Sequence, residues 1–112
     1  MQFKPIFRMN QLAKYKVKLE DLCEKHYVNK LYAFGSVVSD RFDLTKSDID
    51  LIVELNIENP VEKGEHLMQL WSELELLFSR KVDLLTTQKI KNPYLSAEIE
   101  RTKRIVYESK IT

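Results

Sequence analysis

The chain has 112 residues, 44% hydrophobic and 31% charged, which suits one globular domain with one core. Its net charge of +1 excludes a global field for nucleic acid. The single cysteine, Cys23, rules out an internal disulfide and fits a reducing, cytoplasmic setting.

No apolar run approaches the ~20 residues of a membrane span. The N-terminus, MQFKPIFRMNQ, lacks the long apolar region and small-residue cleavage site of a secretory signal. Residues 1–8 read as an N-terminal arm, kept from helix by Pro5, and 9–112 as the folded domain. A helix is expected from Asn10, its N-cap, to about residue 27. Its apolar face carries Leu12, Tyr15, Leu19, Leu22, Cys23 and His26 at spacings of three and four. The lysines opposite (Lys14, Lys16, Lys18, Lys25) read as a solvated face.

After a turn at Val28, a first strand is expected over 30–34, ending in Gly35-Ser36. A helical turn over 37–41 and a loop over 42–47 follow. A Gly-Ser pair between strand and helix suits phosphate: glycine admits close approach, and the helix start offers free N–H donors. The pair alone is weak evidence, since most such pairs are only turns. A second strand runs to Leu55 and carries Asp48 and Asp50 at its start. Residues two apart on a strand share a face, so these carboxylates lie roughly 6–7 Å apart along the backbone. Two like charges beside an apolar core repel and raise one another's pKa unless a cation sits between them.

Asp43 to Glu54 also has acids at the first and last positions of a calcium loop. Asp48 stands where that loop's tight turn needs glycine, however, and strand flanks it where a helix is required. The clearest helix covers 61–79, with Leu67, Leu70, Trp71, Leu74, Leu77 and Phe78 as a core stripe. His66 beside that stripe reads as a satisfied or exposed histidine, and Gly64 is mildly unfavourable there. A third strand, 82–86, carries Asp83 alone in an apolar run, where it needs a partner from elsewhere. Pro93 breaks the chain. A last helix over 94–103 has Leu95, Ile99 and Thr102 at helical spacing, and a short strand closes at Tyr107. The fold class is α/β: a small mixed sheet of three or four strands, with helices mainly on one face.

Three acids on neighbouring strands opposite a Gly-Ser cradle offer hard oxygen ligands of the kind that select Mg²⁺. Phe34-Gly35-Ser36, then Ser47-Asp48-Ile49-Asp50-Leu51, then Val82-Asp83-Leu84 resembles the DNA-polymerase-β-type nucleotidyltransferase superfamily. The pattern is closest to its smallest branch, the minimal nucleotidyltransferase (MNT) proteins. The resemblance implies that Gly35 and Ser36 contact nucleotide phosphates and that Asp48, Asp50 and Asp83 bind Mg²⁺, as two ions, for catalysis. Asp83 would help deprotonate the attacking hydroxyl. Eleven residues separate Ser36 from Asp48, a slightly long gap, and Val37-Val38-Ser39-Asp40-Arg41 lacks the glycine that many members carry. Arg41 either supplies a phosphate-facing cation or stands on the surface.

The resemblance further implies a HEPN-domain toxin as partner, with the chain as its antitoxin. AMP would pass from ATP to a tyrosine hydroxyl of the toxin. The chain has no room for the domains that polymerases use to grip a template. The alternative is a non-catalytic module that masks the toxin, with the arm and Phe3, Phe7 and Tyr107 in its interface. Either reading leaves room for a homo-oligomer.

Overall fold

In a computed structural model the described residues are 14–35, 48–87 and 91–110. The expected arm, the Asn10 cap, Leu12, the helical turn with Ser36 and Arg41, and the loop to Ser47 lie outside them. Among the described residues three helices and a four-stranded mixed sheet form in the order α1 (Lys16–Lys25), β1 (Val28–Phe34), β2 (Ile49–Leu55), α2 (Pro60–Phe78), β3 (Val82–Thr86), α3 (Pro93–Thr102) and β4 (Arg104–Glu108). The sheet order is β3-β2-β1-β4. The strand β1 pairs antiparallel with both β2 and β4, and β2 pairs parallel with β3.

Alternation along the strands sorts the side chains into two layers. Leu31 and Ala33 of β1, Ile49, Leu51 and Val53 of β2, and Val82 and Leu84 of β3 face α1 and α2. They pack there against Leu19 and Cys23 of α1 and Leu70, Leu74 and Phe78 of α2. Burial in this layer pushes the Cys23 thiol up to about 12, with Glu20 and Glu24 adding to the effect, so the thiol is inert. Phe34 and Ile52 face the other way, onto Ile99 of α3, with Tyr32 and Leu85 alongside. The expected stripe of the long helix is the core: Leu70, Leu74 and Phe78 are buried, and Leu67, Trp71 and Leu77 flank them.

The element boundaries differ from expectation for local reasons. Pro93, expected to break the chain, begins a helix, and Pro60 begins the long helix one residue ahead of its expected start. Each follows an asparagine whose Oδ1 accepts from two free N–H groups: Asn59 from Val61 and Glu62, and Asn92 from Tyr94 and Leu95. A proline at the first helical position sacrifices an N–H that has no partner in the helix anyway. Val28, expected in a turn, is the buried first residue of β1. The preceding Tyr27 takes a φ of 58°, which lets the chain leave α1 and enter the sheet.

A polar chain fastens α1 to α2. His26 is fully buried at the end of α1, and its Nε2 lies 2.6 Å from Glu73 Oε1. Its Nδ1 lies 2.9 Å from Nδ1 of His66. A carboxylate only accepts, so His26 donates to Glu73, and a neutral His26 then accepts from His66. Lys25 bonds the other Glu73 oxygen at 2.9 Å. That bond, with help from His26, holds the Glu73 carboxyl below the usual range. Substituting His26 with Ala opens a cavity and leaves Glu73 and His66 without their shared partner. We expect a loss of about 3 kcal/mol in urea unfolding. His66 is thus a satisfied histidine, as its sequence context suggests.

Candidate active site

Topology brings the acids and the glycine to one end of the sheet. Because β1 runs antiparallel to β2, its C-terminal end meets the N-terminal end of β2. Because β3 runs parallel to β2, its start arrives there as well. The register is Phe34↔Asp50 across β1 and β2, and Asp50↔Asp83 across β2 and β3. Asp50 and Asp83 therefore stand side by side on neighbouring strands, on the face that α3 shares, level with the last residue of β1.

The position of Asp83 is set from behind by α2. The Trp71 indole N–H donates to the Val82 carbonyl at 2.6 Å, and Glu75 accepts from the Val82 N–H at 2.9 Å. The start of β2 is tied down likewise, since the Ile49 N–H donates to the Lys81 carbonyl at 3.0 Å. Both acids thus project from anchored backbone.

Asp50 is the most perturbed acid of the site. Burial, the Asp83 charge, a hydrogen bond with Asp83 and the Asp48 charge push its carboxyl from 3.8 up to about 6. Asp83 finds in Asp50 the partner its strand lacks. Asp48 is placed less tightly. Its Oδ2 is 3.9 Å from the exposed Lys81 Nζ. Among the described residues no three His, Cys, Asp or Glu side chains close into a cage for a metal ion. Of the three expected acids, Asp50 and Asp83 are in contact and Asp48 stands off toward Lys81.

Gly35 completes this corner. Its φ is +70°, in the left-handed region that favours glycine. A Cβ built on it would sit 2.8 Å from Asp50 Oδ2. The backbone thus runs directly against the carboxylate, and no side chain fills the space between. An acid forced toward its neutral form by burial and like charge, with hard oxygens and a bare backbone beside it, fits a divalent cation bridged to a polyanion. Among the described residues no helix is long and apolar enough to cross a membrane.

One residue at this corner escapes sequence reading. Thr102 fits the helical spacing of α3 as an apolar-face position, but its hydroxyl accepts from the Gly35 N–H at 3.2 Å. Only the tertiary contact reveals it.

A family model described as a nucleotidyltransferase domain matches residues 16–106. A relative from Methanocaldococcus jannaschii, named as a protein adenylyltransferase, is 37% identical over 89 residues, covering 80% of this chain and 84% of its own. Another protein of that organism with the same name is 35% identical over the same shares. A solved structure described as a minimal nucleotidyltransferase superposes with a TM-score of 0.60 at 22% identity, covering 86% of this chain and 93% of its own. A chain of a toxin–antitoxin complex with AMP-PNP superposes at 0.55 and 19% identity, over 85% of this chain and 74% of its own. At these identities the two structures share the fold. With a matching model over most of its length and relatives this similar, the chain belongs to the nucleotidyltransferase domain family.

Proposed function

We propose that the chain transfers AMP from ATP to a protein hydroxyl, and that the acceptor is a tyrosine of a HEPN-domain toxin for which it is the antitoxin. The observation that carries the reading is the Asp50–Asp83 pair set against Gly35, since that pairing has a chemical use and a structural cost. The acceptor class follows the relatives named as protein adenylyltransferases. The partner follows structural neighbours, one of which holds a tri-AMPylated HEPN toxin of Shewanella oneidensis in complex with an MNT antitoxin. That match has a TM-score of 0.54 and 19% identity, over 88% of this chain and 73% of that chain.

In this reading Asp48, Asp50 and Asp83 would hold two Mg²⁺ ions. The ions, when bound, neutralise the triphosphate and the leaving pyrophosphate. Gly35 and Ser36 receive the phosphates, with Arg41 as a further cation. Asp83 accepts the proton of the acceptor hydroxyl. The acceptor's hydroxyl oxygen then bonds to the α-phosphorus, the bond from that phosphorus to the bridging oxygen breaks, and pyrophosphate departs with the electron pair. Positioning and charge neutralisation supply most of the rate.

Calorimetry of ATP with Mg²⁺ tests the assignment. Wild type should bind, and Asp48→Ala/Asp50→Ala should lose binding by about a hundredfold, as expected when a phosphate's charge partners are removed. Equal binding by both proteins would move the nucleotide away from these acids.

A further inference from the structure

Gly35 is placed from two directions. On one side Asp50 Oδ2 stands where a Cβ would go, at 2.8 Å. On the other, its N–H donates to Oγ1 of Thr102 at 3.2 Å. Thr102 is the last residue of α3, 9% exposed, and its hydroxyl donates to the Glu98 carbonyl at 2.7 Å. A hydroxyl has one proton. With that proton committed to Glu98, Thr102 meets Gly35 only as an acceptor, so the polarity of the contact is fixed.

The end of α3 is itself held firmly. The Lys103 N–H donates to the Ile99 carbonyl at 2.8 Å. The Arg104 guanidinium covers the Thr102 and Lys103 carbonyls at 3.2 and 3.0 Å. Arg104 then enters the sheet opposite Ala33, two residues before Gly35. One turn back, Ile99 packs on Phe34, the residue before Gly35. Ile99 thus supports the strand end by apolar contact, and Thr102 supports Gly35 by a hydrogen bond.

We propose that Thr102 is a positioning residue for the nucleotide: its hydroxyl holds Gly35 in the left-handed conformation against Asp50 and so sets where the phosphate-binding segment starts. This rests on the nucleotidyltransferase reading of the same corner. A direct consequence is that the Gly35 N–H is already used.

The test uses the full chain as wild type, Thr102→Val and Thr102→Ser. Valine keeps the shape and loses the hydroxyl, whereas serine keeps the hydroxyl. The chain has only two glycines, so ¹⁵N-glycine labelling gives two amide signals. Gly64, on the open face of α2, is the internal control. In Thr102→Val the Gly35 amide should shift and exchange faster while Gly64 stays put. Affinity for Mg-ATP should fall about tenfold and return to near wild type in Thr102→Ser.

An unmoved Gly35 signal in Thr102→Val overturns the contact. A moved signal with unchanged affinity overturns the positioning role and leaves the nucleotide site standing. Wild type that takes no Mg-ATP removes the nucleotidyltransferase reading, and this role falls with it.

Discussion

Replacing Asp50 by Asn will separate activity from stability in opposite directions. Transfer of AMP should drop about a thousandfold, the scale expected when a group that stabilises transition-state charge is lost. The metal-free protein should become more stable. Folding raises the Asp50 pKa from 3.8 to about 6, so the folded chain holds this proton more tightly than the unfolded chain. Stability therefore falls as pH rises through that window and stays lower above it. Asparagine cannot ionise and escapes the penalty, which amounts to at most about 3 kcal/mol. Urea unfolding with chelator should show the variant ahead of wild type at neutral pH and level with it near pH ~4. Adding Mg²⁺ should stabilise wild type and leave the variant nearly unchanged. A variant less stable than wild type at neutral pH would mean that Asp50 is ordinary structure.

Gly35→Ala should damage the same corner from the backbone side. The left-handed φ alone costs about 1–2 kcal/mol with a side chain. The new Cβ would also lie 2.8 Å from Asp50 Oδ2, so the carboxylate must turn away. We expect a lower melting temperature and about a hundredfold less transfer, since a displaced charge partner works almost as badly as a missing one. A double-mutant cycle separates the two costs. In an Asp50→Ala background the collision is gone, and Gly35→Ala should cost only the backbone term. Additive stability losses would show that the two residues do not press on each other.

The sequence pattern reaches far here because its signals are local and redundant. The runs at 49–55 and 82–86 are too apolar and too short for anything but buried strands, and the acids within them stand out against that background. The stripe from Leu67 to Phe78 repeats at helical spacing over several turns, so α2 was legible residue by residue. The Asp50–Asp83 pairing was legible in outline, since an isolated acid in a buried strand needs a neighbour. Its register depends on how Trp71 and Glu75 grip the backbone of Val82, which no periodicity records. Asp48 shows the limit of the pattern. Alternation puts it on the Asp50 face, and nothing in alternation reveals that Lys81 stands close to it.

The helix starts teach a similar lesson. Pro93 reads as a break in the chain, yet the asparagine before it makes it a first helical residue, as Asn59 does for Pro60. Thr102 and His26 stayed hidden for another reason. Both fit an apolar face by spacing, and only the partners across the fold, Gly35 for one and Glu73 with His66 for the other, give their polar atoms a purpose.

The most direct test of the account is to follow the two ends of ATP separately. The chain is incubated with Mg²⁺, the proposed HEPN-domain partner and ATP labelled at either the α- or the γ-phosphate. Nucleotidyl transfer at the Asp48–Asp50–Asp83 corner predicts that the α-label enters the partner on a tyrosine, that the γ-label leaves in pyrophosphate, and that Asp50→Asn stops both. Neutralisation of the partner with neither label incorporated, or incorporation of the γ-label alone, would contradict it.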